Sequence, residues 1–205
     1  MNSKASDARR HLHQQVGALL FDISLADIDN ATTGVNYDYN YFGEGAEAET
    51  SCTGYAGGHA GTDLQTKDVE GSVTADRNVF SLTGGDVLST DAANGRVFMR
   101  SAMAFDGTTD MVKIGYLHLR TLAVRTGDTL APGAKFGVQG NLGLGLNAAD
   151  TTTREHVHVE IRADAAPTGA ACGAAPKGAN GHATFAALDP QKYFAAIVKA
   201  NPPKK

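Results

Sequence analysis

Short strand-like runs broken by turn signals fill much of the middle of this chain, and a helical period of hydrophobic positions appears only near its two ends. Residues 7–23 place Leu12, Val16, Leu19, Leu20 and Ile23 at helical spacing, with Asp7 able to cap the start. Residues 189–200 read as a closing helix, with Asp189 as its cap and Pro190 at its first position. Between them, short apolar-polar runs predict strands at about 62–68, 78–82, 85–90, 95–104, 111–119, 135–139 and 156–162. Turn signals separate them at Gly84-Gly85, Asn94-Gly95 and Asp106-Gly107, and the Asn-Gly pair is a strong hairpin signal. The expectation is a mainly β, single-domain protein. Its central antiparallel sheet carries a groove on one face, and short helices stand at the N- and C-termini.

The run His156, Val157, His158, Val159, Glu160, Ile161 alternates strictly. Side chains point to opposite faces of a strand in turn, so one face holds two histidines and a glutamate while the other holds two valines and an isoleucine. That is a strand with a packed back and a chemically active front, and imidazole is the commonest metal ligand. A His-x-His pair alone is a weak signal. The chain has a second one, His11-Leu12-His13, which reads as a solvated N-terminal segment.

The first pair has partners. Gly57-Gly58-His59-Ala60-Gly61-Thr62-Asp63 sets a histidine and an aspartate four positions apart on a glycine-rich loop entering a strand. Ile114-Gly115-Tyr116-Leu117-His118-Leu119 is a further strand-like run, in which Ile114, Tyr116 and His118 share a face by alternation. Gly127-Asp128 and Pro132-Gly133 read as paired turns, and a glycine-rich stretch from Gly137 to Gly145 leads back toward His156.

The order His59-x-x-x-Asp63, Tyr116-x-His118-Leu119, Gly127-Asp128 with its following glycines, and His156-x-His158-x-Glu160 resembles the lysostaphin/LytM family of zinc metalloendopeptidases. Leu188-Asp189-Pro190 with Tyr193-Phe194 resembles that family's closing segment. The resemblance implies that His59, Asp63 and His158 bind zinc, and that His118 and His156 are catalytic histidines that are not ligands. It implies a metallopeptidase domain over residues 41–200, a helical extension at 1–40 and a tail at 201–205. It also implies peptidoglycan peptides as substrate. The chain departs from the family pattern in three places. Tyr41-Phe42-Gly43-Glu44-Gly45 lacks the usual arginine, Arg154-Glu155 stand where small residues or proline are usual, and 146–154 and 163–187 are long.

The residue types suit that chemistry. Two histidines and one carboxylate leave a fourth position on zinc open, as catalytic sites require. Zinc lowers the pKa of bound water from about 15.7 to about 7. A base must still take the proton, and a donor must stabilise the oxyanion. Two further imidazoles can fill those roles. Glu160 can hold a ligand imidazole from behind. Tyr116 can serve either the chemistry or the core.

With 205 residues the chain can bury a substantial core, and its net charge of −4 supplies no basic patch for nucleic acid. No apolar run approaches the roughly 20 residues needed to span a bilayer. The start, Met1 to Asp7, is too polar for a signal peptide, so either a leader is absent from this sequence or the protein leaves the cell by another route. The resemblance implies a secreted or periplasmic protein, and a monomer is expected. Cys52 and Cys172 are expected to form one disulfide near the site, and His182 is expected to be a surface histidine. Two other readings compete with the peptidase. One is a catalytically silent LytM-like wall-binding or regulatory module, which zinc content and turnover on peptidoglycan would separate. The other is a cupin-type oxygenase, which the position of Glu160 and the lack of a suitable later histidine argue against.

Overall fold

The computed structural model describes residues 3–28, 35–36, 61–66, 77–103, 112–143, 155–163, 187–188 and 190–205. His59, Cys52, Cys172, His182, Asp189 and the Tyr37–Phe42 aromatic run lie outside them, as does Asp106-Gly107.

Within the described residues the chain is mainly β, as its short runs and turn signals predict. The strands are β1 (Val35–Asn36), β2 (Thr62–Thr66), β3 (Asn78–Phe80), β4 (Gly85–Asp91), β5 (Arg96–Ser101) and β6 (Val112–Leu117). They continue with β7 (Thr121–Leu122), β8 (Thr129–Leu130), β9 (Lys135–Val138), β10 (Val157–Ala163) and β11 (Ala187–Leu188). The main sheet runs β1-β2-β10-β6-β5-β4-β8, with β11 on the edge of β10 that β2 leaves. A second sheet, β3-β9-β7, was not anticipated, and every pairing in both sheets is antiparallel. The short β8 pairs with β4 between the two turns that the glycines mark.

Register sorts the main sheet into two faces. Val159 is opposite Tyr116, which is opposite Val97; Ile161 is opposite Ile114, which is opposite Met99. These residues and Leu64 and Val157 are buried in one apolar cluster, together with Val79 and Phe136 of the second sheet. The opposite face carries Asp63 beside His158 and Leu117, then Glu160 beside Gly115 and Phe98. The strict alternation of β10 therefore does what it promised, since a one-residue slip would exchange the two faces.

Helix α1 (Ser3–Phe21) is longer than a short terminal helix, and α2 (Leu25–Ile28) is a single turn. α1 ends because Asp22 takes a left-handed conformation (φ 52°), which lets the Ile23 N–H reach the Ala18 carbonyl at 3.0 Å, a Schellman-type stop. α3 (Pro190–Ala200) begins on proline, whose missing N–H costs nothing at a first helical position. Val16, Leu20 and Phe21 of α1 join Phe194 and Ile197 of α3 in the apolar cluster of the sheets. The expectation of a solvated His11-Leu12-His13 segment is corrected here. His11 is exposed, but His13 is fully buried, with its ring edge-on to Phe194 at 5.7 Å and its Nδ1 2.7 Å from the Arg9 carbonyl. Helical periodicity points His13 inward with Val16 and Leu20, and the docking of α3 covers it. No described helix is long and apolar enough to cross a membrane.

Candidate active site

Three segments bring chemistry to the polar face of the main sheet. Asp63 comes from β2, His158 from β10 with His156 just before it, and His118 from the turn after β6. Asp63 and His158 are direct register partners, so pairing alone sets their side chains together. Asp63 Oδ1 lies 2.8 Å from His158 Nδ1 and 3.5 Å from His156 Nε2. Gly61 permits this closeness, because a Cβ there would fall 2.4 Å from the Val159 carbonyl oxygen and 2.6 Å from His158 Nε2.

The other nitrogen of His158 is also held. Its Nε2 is 3.1 Å from Glu160 Oε1, and Glu160 is in turn ion-paired with Arg162, whose guanidinium lies over the Phe98 ring at 4.6 Å. The imidazole is thus gripped between two carboxylates. Burial opposes its charge, but the hydrogen bonds and charges of Asp63 and Glu160 outweigh it and push His158 up to about 10. Burial also opposes ionisation of Glu160, yet its bonds to His158 and the Arg162 charge hold it down at about 2.

His118 reaches the site by a different device. By alternation it belongs with Tyr116 on the core face, and the structure corrects that expectation. β6 ends at Leu117, and His118 takes a left-handed backbone conformation (φ 67°), uncommon for a residue with a Cβ. This turn breaks the alternation and swings the ring to the polar face, 4.8 Å from His156 and 5.9 Å from His158 between ring centroids. The conformation is held by backbone bonds just beyond it. The Leu119 N–H donates to the Gly95 carbonyl at 3.0 Å, and the Arg120 N–H donates to the Val138 carbonyl at 2.9 Å. The tip of the hairpin that Asn94-Gly95 forecasts is therefore what pins this segment.

The His118 Nδ1 lies 2.8 Å from the Leu142 carbonyl, which can only accept, so Nδ1 carries the proton and Nε2 the lone pair. Burial, reinforced by the imidazoles of His156 and His158, lowers His118 to about 3, and it is neutral at pH 7.

Tyr116 stays in the core. It is fully buried against Phe136, ring centroids 4.8 Å apart, and its hydroxyl accepts the Leu82 N–H at 3.0 Å. Burial raises its pKa, so the hydroxyl stays protonated. Tyr116→Phe should lower stability by about 1–3 kcal/mol, because the buried Leu82 N–H loses its acceptor. Chemical denaturation would read this loss. A substitution that left stability unchanged but abolished turnover would return Tyr116 to the chemistry.

Sequence reasoning singled out the departure at Arg154-Glu155 without seeing its consequence. Glu155 is buried and ion-paired to Arg120, two residues after His118. A carboxylate directly before a His-x-His pair was the available signal, and neither its burial nor its partner could be read from spacing.

Among the described residues, no set of three His, Cys, Asp or Glu side chains is grouped as a metal cage. The third expected ligand, His59, lies outside them. The donors that are described fit zinc in their chemistry. A carboxylate oxygen faces an imidazole nitrogen, and a second carboxylate orients that ring from behind, as metal-bound histidines usually require.

The fold and site together define an antiparallel β protein that gathers three imidazoles and a carboxylate on one sheet face. In fold it is similar to the antimicrobial peptidase lysostaphin from Staphylococcus simulans, at 16% identity and a TM-score of 0.49, over 85% of this chain and 54% of that one. The chain thus spans about half the length of that protein. It is likewise similar to the catalytic domain of the prophage-encoded protein EnpA from Enterococcus faecalis, in a variant form, at 16% identity and a TM-score of 0.47, over 78% of this chain and 91% of that one. A zinc-containing peptidase from Vibrio cholerae matches at 19% identity and a TM-score of 0.43, over 62% of this chain and 33% of that one. No protein-family model matches the sequence, and no curated protein matches it significantly.

Proposed function

We propose that this chain is a zinc-dependent endopeptidase that hydrolyses peptide bonds in the cross-links of bacterial cell-wall peptidoglycan. The observation that carries the reading is the convergence of Asp63, His158, His156 and His118 from three segments onto one face. In this reading Asp63 and His158 hold zinc with His59, and His118 and His156 act on the reacting groups. Bound zinc would supply an acidified water and polarise the scissile carbonyl. The protein's own part is acid–base. Leu142 fixes the His118 tautomer, and His118 and His156 are the two adjacent imidazoles that would share proton transfer and oxyanion stabilisation. Glu160 and Arg162 keep the His158 ring from turning. Such a substrate places the enzyme outside the cytoplasm, in the secreted or periplasmic setting.

Incubation with purified peptidoglycan, followed by mass spectrometry of the released muropeptides, tests the reading. New peptide termini that vanish on chelation and return with zinc are expected. A zinc-free protein that binds peptidoglycan and releases nothing would mark a silent binding module instead.

Proton release on zinc binding yields a separate check. With His158 at about 10, its imidazole is protonated at pH 7, and a metal must displace that proton. Zinc uptake at pH 7 should release about one proton, and affinity should fall about tenfold per pH unit as pH drops below that pKa. Glu160 at about 2 and His118 at about 3 do not change charge in this range and add nothing to it. Calorimetry in buffers of differing ionisation enthalpy reads the proton count. Uptake with no proton released would show that His158 is neutral before metal binds.

A further inference from the structure

Glu155 joins the segments that carry the site. Its carboxylate is ion-paired to Arg120, two residues beyond His118, and its carbonyl accepts the Gln65 side-chain N–H at 2.9 Å, two residues beyond Asp63. It directly precedes His156. Arg120 is in turn seated by backbone. Its N–H is bonded to the Val138 carbonyl, and the bare Cα of Gly140 lets the chain pass where a Cβ would fall 2.5 Å from the Arg120 nitrogen. The Gly140 carbonyl then accepts the His156 N–H at 2.9 Å. A closed loop results, running His156, Glu155, Arg120, Gly140 and back to His156. The Glu155 side chain is 3% exposed and that of Arg120 36%, so the carboxylate is shielded while the guanidinium partly meets solvent.

The loop encloses the two segments whose relative placement alignment of strands does not set. His158 and Asp63 are fixed by ladder register, whereas His118 lies beyond the end of β6 and His156 stands just before β10, bridged through its backbone to Gly140. We propose that the Arg120–Glu155 ion pair is a positioning clamp that holds the His118 and His156 rings in their mutual geometry, 4.8 Å apart, with Gln65 tying the clamp to the strand of Asp63. Neither residue acts on substrate directly. The clamp occupies the place where this chain carries Glu155 before its His-x-His strand, so it accounts for that departure.

The kinetic arm of the test rests on the proposed hydrolase reading, and a second arm does not. Glu155→Gln and Arg120→Gln should each lower kcat about 10- to 100-fold, with KM and zinc content nearly unchanged, because a misplacement of about 1 Å carries that scale of penalty. The double variant should be no worse than either single variant, since both remove one interaction. Arg120→Lys, which keeps the charge, should recover most of the turnover, and Arg125→Gln on an exposed turn should change nothing. If Arg120→Gln raises KM at constant kcat while Glu155→Gln stays fully active, Arg120 meets substrate itself and the clamp is wrong.

The second arm is amide hydrogen exchange on the metal-free protein. In Glu155→Gln the His156 and Arg120 amides should exchange severalfold faster, while Val159 in mid-strand keeps its rate. Uniform acceleration at all three positions, or no change at any, overturns the clamp. Should Glu155→Gln fail to fold, Arg120→Gln carries the same comparison from the more exposed side of the pair. If the wild-type protein releases no peptides from peptidoglycan, the hydrolase reading falls and the exchange arm alone decides the clamp.

Discussion

Replacing His118 or His156 with alanine should leave zinc stoichiometric and lower peptidoglycan hydrolysis by about 100- to 1,000-fold or more, the usual scale for losing a general acid–base group or an oxyanion donor. The geometry behind this expectation is unequal distance to the carboxylate. Asp63 Oδ1 is 2.8 Å from His158 Nδ1 but 3.5 Å from His156 Nε2, so His158 is the better co-ligand. His118 has one nitrogen committed to the Leu142 carbonyl and the other left as a lone pair. A tetrahedral ion holding His59, Asp63 and His158 needs its fourth position for water, and a fourth protein ligand would close the site. Zinc content and hydrolysis measured on the same samples decide the matter. If His156→Ala loses zinc while His158→Ala keeps it, the roles of the two are exchanged. Full activity in both His118→Ala and His156→Ala would refute the mechanism.

Asp63→Ala should lose most of its zinc under conditions where the wild-type protein is fully loaded, because an ion left with two imidazoles is under-coordinated. Glu160→Gln should do less, weakening zinc by about 10- to 100-fold, the range seen when a carboxylate behind a metal-bound histidine is removed. The ranking follows from which nitrogen each carboxylate faces. Asp63 meets Nδ1 on the side shared with His156, whereas Glu160 meets Nε2 from behind and is itself neutralised by Arg162. Elemental analysis and competition with a chelator measure both. Stoichiometric zinc in Asp63→Ala would count against the ligand assignment, and an equal loss in Glu160→Gln would make Glu160 a ligand.

Much of this site is local in sequence, and that part was legible. The alternation from His156 to Ile161 is a property of strand geometry, so it sends His158 and Glu160 to one face and Val157, Val159 and Ile161 to the other in any sheet with a buried back. The central strands, the Asn94-Gly95 hairpin and the Pro190 helix start follow from equally local chemistry.

Three features were decided only by tertiary structure. His118 shares a face with Tyr116 by period, and it leaves that face because backbone bonds to Gly95 and Val138 hold the chain in a left-handed turn. His13 reads as solvated until α3 packs over it. Glu155 finds Arg120 across 35 positions of chain, a pairing that no spacing rule encodes. Periodicity reports which side of its own element a residue faces. Which element lies opposite, and where a strand stops so that the period no longer applies, are set by contacts distant in sequence.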